Sequence, residues 1–130
     1  MEMEISFPGG KKVNATYKGF TIETDQAKDE GGEGSAPEPY DLFLSSIGTC
    51  AGIYVISFCK QREINTSGLK LTLEFDRSDK THLIEEIRIR IHLPPKFPEK
   101  YKAAIIRTAE LCTVKRNIMT PPRFTVTADK

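Results

Sequence analysis

The chain carries three cysteines, Cys50, Cys59 and Cys112, and these hold most of the chemistry its side chains could perform. A thiolate is a strong nucleophile and a soft metal ligand, while a buried neutral thiol is only a small hydrophobe. Cys50 and Cys59 stand in a stretch that reads as helix, where nine residues correspond to about 13.5 Å of rise and about half a turn of rotation. A disulfide requires Cα atoms within about 7 Å, so these two cannot pair with each other. Any partner for Cys50 comes from elsewhere in the chain, and Cys112, which the residue pattern turns inward, is the candidate. Cys50 follows Ser45, Ser46, Gly48 and Thr49, small groups that leave room for a ligand and can hydrogen-bond to it. Cys59 sits among Val55, Ile56 and Phe58 and reads as packing. On pattern alone, the bland reading of Cys50 is also a packed thiol. Three cysteines and two histidines without CxxC or HxxxH spacing offer no zinc motif, so neither a metal nor another cofactor is expected. His82 and His92 read as a loop and an exposed strand face.

The element that must position Cys50 is unusual. From Leu42 to Cys59 there is no charge, and eighteen uncharged residues is the lower limit for a membrane span. Ser45, Ser46, Thr49 and Ser57 dilute that run, Asp41 and Lys60 flank it, and the rest of the chain is patterned for one-sided burial in water. A buried central helix is therefore expected, with no membrane partner. Pro39 suits its first turn, Asp41 complements its dipole, and it should run to about Glu63, before Asn65-Thr66-Ser67-Gly68. A helix apolar nearly all round needs cover on most sides, more than 130 residues readily supply, which argues for a dimer.

Around it, Met3, Ile5 and Phe7, then Val13, Ala15 and Tyr17, alternate on either side of Pro8-Gly9-Gly10 as a hairpin, and Phe20 to Thr24 adds a third strand. Residues 25–38 read as a mobile loop. Leu69, Leu71, Leu73 and Phe75, then Ile87, Ile89, Ile91 and Leu93, alternate with polar residues as the clearest strand pair. Pro98 and Glu99 open a second helix whose stripe is Tyr101, Ile105, Ala109 and Cys112. A short turn, Thr113 to Met119, leads to a last strand carrying Phe124, Val126 and Ala128. The expected fold is an α+β sandwich of antiparallel sheet and two long helices, a single domain spanning 1–130.

Composition limits the partners. Apolar content of 38%, charged content of 28% and a net charge of +1 describe an ordinary globular domain, with no global attraction to nucleic acid or anionic lipid. Arg88, Arg90 and His92 form a basic stripe without interleaved aromatic residues, so nucleic-acid binding is not expected. The N-terminus MEMEISFPGG has no positive start or apolar stretch of a secretory signal, and a cytoplasmic location is expected.

The segment PEPYDLFLSSIGTC, followed about sixty residues on by AELCTVKRNI, resembles the OsmC/Ohr family of osmotically induced and organic hydroperoxide resistance proteins. Pro39, Asp41, Leu42, Gly48 and Cys50 match its first cysteine motif; Cys112 and Val114 match its C-P-V motif, with Thr113 in place of proline. The resemblance implies an intertwined homodimer with sites at the subunit interface. It also implies peroxidase chemistry on organic hydroperoxides, with Cys50 peroxidatic, Cys112 resolving and a dithiol reductant reopening the disulfide. Tyr40, Ser46, Thr49 and Tyr54 are the corresponding substrate-contacting candidates. The family's peroxidases hold the thiolate with an N-terminal arginine paired to a glutamate. Here all seven arginines lie at or after Arg62, the glutamate position holds Tyr40, and the acid is Asp41. Lys18, Lys28, Lys115 and Arg116 are the alternative cations. The rival expectation is a non-catalytic protein of the same fold, holding a small apolar or thiol ligand at the dimer interface.

Overall fold

The computed structural model describes all residues from Met1 to Lys130. It divides into two compact units, Met1–Ser45 and Ser46–Lys130, and its elements are those of a mixed α+β protein.

The first unit is an antiparallel meander of β1 (Glu4–Gly9), β2 (Lys12–Tyr17) and β3 (Phe20–Thr24). Ile5 pairs with Ala15 and Ala15 with Ile22, while Tyr17 pairs with Phe20, so side-chain alternation gathers the apolar residues on one face. On that face Ile5, Phe20 and Ile22 are exposed, as are Met3 and Phe7, while Val13, Ala15 and Tyr17 are half-buried.

Residues 25–38 depart from the expected mobile loop, because one side chain organises them. Asp25 is 1% exposed. Its carboxylate accepts hydrogen bonds from the Gln26, Glu33 and Ser35 backbone N–H groups and from the Ser35 hydroxyl, the last at 2.6 Å. A short 3-10 turn at Lys28–Glu30 lies inside the loop. The loss of hydrophobic anchors that suggested mobility is made good by a buried, fully bonded carboxylate.

Helix α1 (Pro39–Gln61) begins where expected. Asp41 accepts a hydrogen bond from the Glu38 N–H at 3.0 Å, the reach-back half of a capping box. The helix ends two residues earlier than expected in a Schellman arrangement, with Ile64 N–H on the Cys59 carbonyl and Glu63 N–H on the Lys60 carbonyl. Glu63 takes the left-handed conformation at φ 54° that glycine usually fills. By length and composition α1 could cross a membrane; one stripe of it, Ile47, Ala51, Val55, Phe58 and Cys59, is buried inside this fold, whereas Phe43 and Ile53 are exposed, so the expected cover on most sides is found on one side only.

In the second unit β4 (Lys70–Arg77) pairs antiparallel with β5 (Ile84–His92). Leu71 faces Ile91, Leu73 faces Ile89 and Phe75 faces Ile87, which sets the core side of the ladder. On the other side Arg88 is paired with Glu74, Asp76 and Glu86, so the basic stripe is largely neutralised by its neighbours. The core is built from Val55, Phe58 and Cys59 of α1 with Ile105 and Ala109 of α2 (Lys102–Glu110). Gly48 is what lets α1 approach β4: a Cβ there would lie 3.0 Å from Leu73 Cδ1.

Two expectations for the C-terminal part are corrected. The second long helix is broken at Leu111, and Thr113–Met119, read as a turn, is a further helix, α3. Residues 121–130 form no strand, and Phe124 and Val126 are 86% and 94% exposed. A strand exists only against a partner strand, and nothing in this chain pairs with them.

Candidate functional site

The three thiols fall into different environments. Cys59 is fully buried in the core, and burial pushes its thiol above the ordinary range, consistent with a packing role. Cys112 is also fully buried, but in the extended link between α2 and α3, where its carbonyl accepts the Arg116 N–H. Its burial agrees with the inward direction expected of it, although it lies outside the helix that carries Tyr101, Ile105 and Ala109. Cys50 is the one half-exposed thiol, midway along α1.

A polar cluster links the neighbourhoods of Cys50 and Cys112. Tyr54 lies four residues after Cys50 on α1, hence on the same face one turn along, and helical side chains lean toward the N-terminus, over the turn that precedes them. The Tyr54 hydroxyl is 2.9 Å from the hydroxyl of Thr113, the residue directly after Cys112. Arg116, one turn further along α3, donates from Nη2 to the Tyr54 oxygen at 3.4 Å and to the Thr113 oxygen at 3.3 Å.

The structure therefore brings Tyr54 to the Cys112 junction and recruits two residues that the sequence reading did not rank as site residues. Thr113 was visible only as a departure from proline, and Arg116 only as one of four loose cations. Their shared role could be found by recognising residues 113–119 as helical, which puts positions 113 and 116 on one face. Lys115 instead lines an apolar cavity of about 630 Å³. Ile47, Ile89, Ile91 and Ile105 form part of its wall, with Arg90, Lys102 and Glu110 also bordering it.

The remaining candidates have local occupations. Thr49 directs its hydroxyl to the Ser46 carbonyl at 3.5 Å. In the first unit Tyr40 stacks on Phe43 with centroids 5.6 Å apart, and Asp41 caps its own helix. Lys18 lies over the Tyr17 ring, 5.2 Å from its centroid.

The family model described as OsmC-like protein matches residues 32–127, a span that includes both Cys50 and Cys112. Solved structures share the fold at low identity. An osmotic stress induced and detoxification response protein from Psychrobacter arcticus is 21% identical, with a TM-score of 0.74 over 88% of this chain and 85% of that one. An OsmC-like protein from Mycoplasma pneumoniae is 16% identical, with a TM-score of 0.67 over 92% and 88%. An organic hydroperoxide resistance protein OsmC from Legionella pneumophila is 17% identical, with a TM-score of 0.59 over 91% and 89%. Among curated proteins, none matches.

Proposed function

The chain belongs to the OsmC-like family, and from that premise we propose that it is a thiol-dependent peroxidase that reduces organic hydroperoxides. The observation that carries this reading is the contrast between its thiols: Cys50 is accessible, Cys112 is buried, and a hydrogen bond joins the residue one turn from the first to the residue next to the second. The match to a family with a hydroperoxide resistance protein among its structural neighbours supports it further.

In the proposed cycle the Cys50 thiolate attacks the terminal oxygen of RO–OH. The O–O bond breaks, its electron pair leaves on the RO oxygen, and a proton completes the alcohol. Cys50 is then a sulfenic acid. The Cys112 sulfur attacks the Cys50 sulfur, water departs, and a Cys50–Cys112 disulfide remains. A dithiol reductant supplies the two electrons that restore both thiols. Because Cys112 is 0% exposed, the reductant must attack at Cys50, leaving Cys112 as the departing thiolate. The reading includes a homodimer in the cytoplasm, as the uncovered apolar face of the first unit favours a second copy.

The test is to treat reduced protein with cumene or tert-butyl hydroperoxide and map disulfides by mass spectrometry. A Cys50–Cys112 linkage forming at the rate of peroxide loss is expected, with consumption abolished in Cys50→Ser. Undiminished consumption by Cys50→Ser refutes the assignment.

A second reading is supported by the cavity of about 630 Å³, which is large enough for a small apolar ligand. On it the protein binds without turnover, and hydroperoxide treatment yields neither the disulfide nor loss of peroxide.

A further inference from the structure

We propose that Arg116 is the positioning residue of the Cys50 site: it fixes the Tyr54 phenol over the turn that bears Cys50 and sets a permanent positive charge at the mouth of that thiol. The inference rests on Cys50 being the reactive thiol of the proposed function, but it concerns the field around that sulfur and not turnover.

The hydrogen-bond inventory of the cluster is restrictive. A guanidinium has donors only, so the Tyr54 and Thr113 oxygens both accept from Arg116 Nη2. Between the two hydroxyls, 2.9 Å apart, only one can donate to the other. One hydroxyl proton is therefore left pointing out of the cluster. When Thr113 donates inward, the outward proton is that of Tyr54, on the face shared with Cys50. A phenol held in this way can donate to an oxygen bound above Cys50, and the guanidinium beside it attracts an anion approaching the same place.

Other cations are committed differently. Arg62 stacks on Phe58 at 3.6 Å from the ring centroid, Arg88 is enclosed by three carboxylates, and Lys115 lines the cavity. Arg116 is hydrogen-bonded to a side chain one turn from Cys50. Thr113 is part of the device, since a proline there would have no hydroxyl to bridge Tyr54 to α3.

The test compares two alkylating reagents of similar size, anionic iodoacetate and neutral iodoacetamide, on the full-length reduced protein, with Cys50 modification followed by mass spectrometry. Loss of structure or of accessibility changes both rates together, whereas loss of local charge changes their ratio. In Arg116→Gln the iodoacetate-to-iodoacetamide rate ratio at Cys50 should fall about threefold at low ionic strength, with the effect shrinking as salt is added. Arg116→Lys should recover most of it, and Arg107→Gln, which removes an equal charge from α2, should leave it unchanged. An unchanged ratio in Arg116→Gln, or an equal fall in Arg107→Gln, overturns the inference. A shifted ratio in a protein that consumes no hydroperoxide sustains the inference and removes the peroxidase reading alone.

Discussion

Tyr54 and Thr113, fifty-nine positions apart in sequence, place their hydroxyl oxygens 2.9 Å from one another, and this bond ties the helix bearing Cys50 to the residue that follows Cys112. In the proposed cycle two thiols exchange a bond, which calls for supports that return to the same place each time, and a side-chain bond between those supports would provide that registration.

Removing the hydroxyl tests it. Tyr54→Phe keeps the ring and loses the bonds to Thr113 and Arg116. Because this cluster is exposed, the stability loss should stay near the lower end of the usual hydrogen-bond range, about 0.5 kcal/mol in urea titration. The rate of Cys50–Cys112 disulfide formation after one equivalent of hydroperoxide should nevertheless fall severalfold in stopped-flow measurement. Equal rates in the two proteins would show that the bond does not register the thiols.

Cys59 makes the opposite prediction. Its sulfur is buried among Val55, Phe58 and Ile105, and burial raises its thiol, so it should resist alkylation in the native protein at pH values where Cys50 reacts. Cys59→Ala should lower stability by about 1 kcal/mol through lost packing, and Cys59→Ser by more, since a hydroxyl there lacks the hydrophobic character of sulfur. Hydroperoxide consumption should be unaffected by Cys59→Ala. A loss of consumption in a folded Cys59→Ala protein would mean that Cys59 takes part in the chemistry.

The acidic loop should reveal its organiser through pH. Asp25 is held down to about 2 by the Ser35 hydroxyl first, then by the Gln26, Ser35 and Glu33 backbone N–H groups. An unfolded aspartate titrates near 3.9, so the folded state prefers the carboxylate; that contribution is complete above about pH 4 and is lost as pH falls toward about 2. The protection of the Glu33 and Ser35 amides against hydrogen exchange, relative to their intrinsic rates, should fall across that window in the native protein. In Asp25→Asn the same amides should exchange fast already at neutral pH. Protection that is equal in both proteins would show that the loop is ordered by something else.

How far the sequence discloses this molecule depends on the range of the forces involved. The meander, the start of α1 and the β4–β5 ladder follow from local alternation, a helix-initiating proline and a capping carboxylate, all read within a few residues. The loop at 25–38 reads as mobile in the sequence because its order comes from a single aspartate bonded to groups eight and ten residues away, which leaves no periodic trace. The break at Leu111 is invisible in the pattern because Cys112 keeps the apolar spacing even though the backbone leaves the helix before it. Within the site, the cysteines and Tyr54 were found by residue type, whereas Arg116 gained a role only once α3 turned it toward a residue on another helix.

The remaining apolar surface carries a prediction about assembly. One face of the β1–β2–β3 sheet presents Ile5, Phe20 and Ile22 to solvent, and the C-terminal segment presents Phe124 and Val126 in an alternating, strand-like pattern with no strand beside it. An apolar sheet face left exposed is unusual on a stable monomer, and an unpaired strand-like segment is a ready edge for another chain. A second copy would supply both a sheet and a hydrophobic cover without a further type of partner, and symmetric dimers are the commonest assembly of soluble chains. Sedimentation equilibrium should therefore give twice the chain mass at micromolar concentration. Ile22→Asp, on the uncovered face, should shift the protein toward monomer and lower its melting temperature in a concentration-dependent way. A wild-type chain that sediments as a monomer at every accessible concentration would rule the assembly out, and would require the apolar face to be covered by something other than a copy of itself.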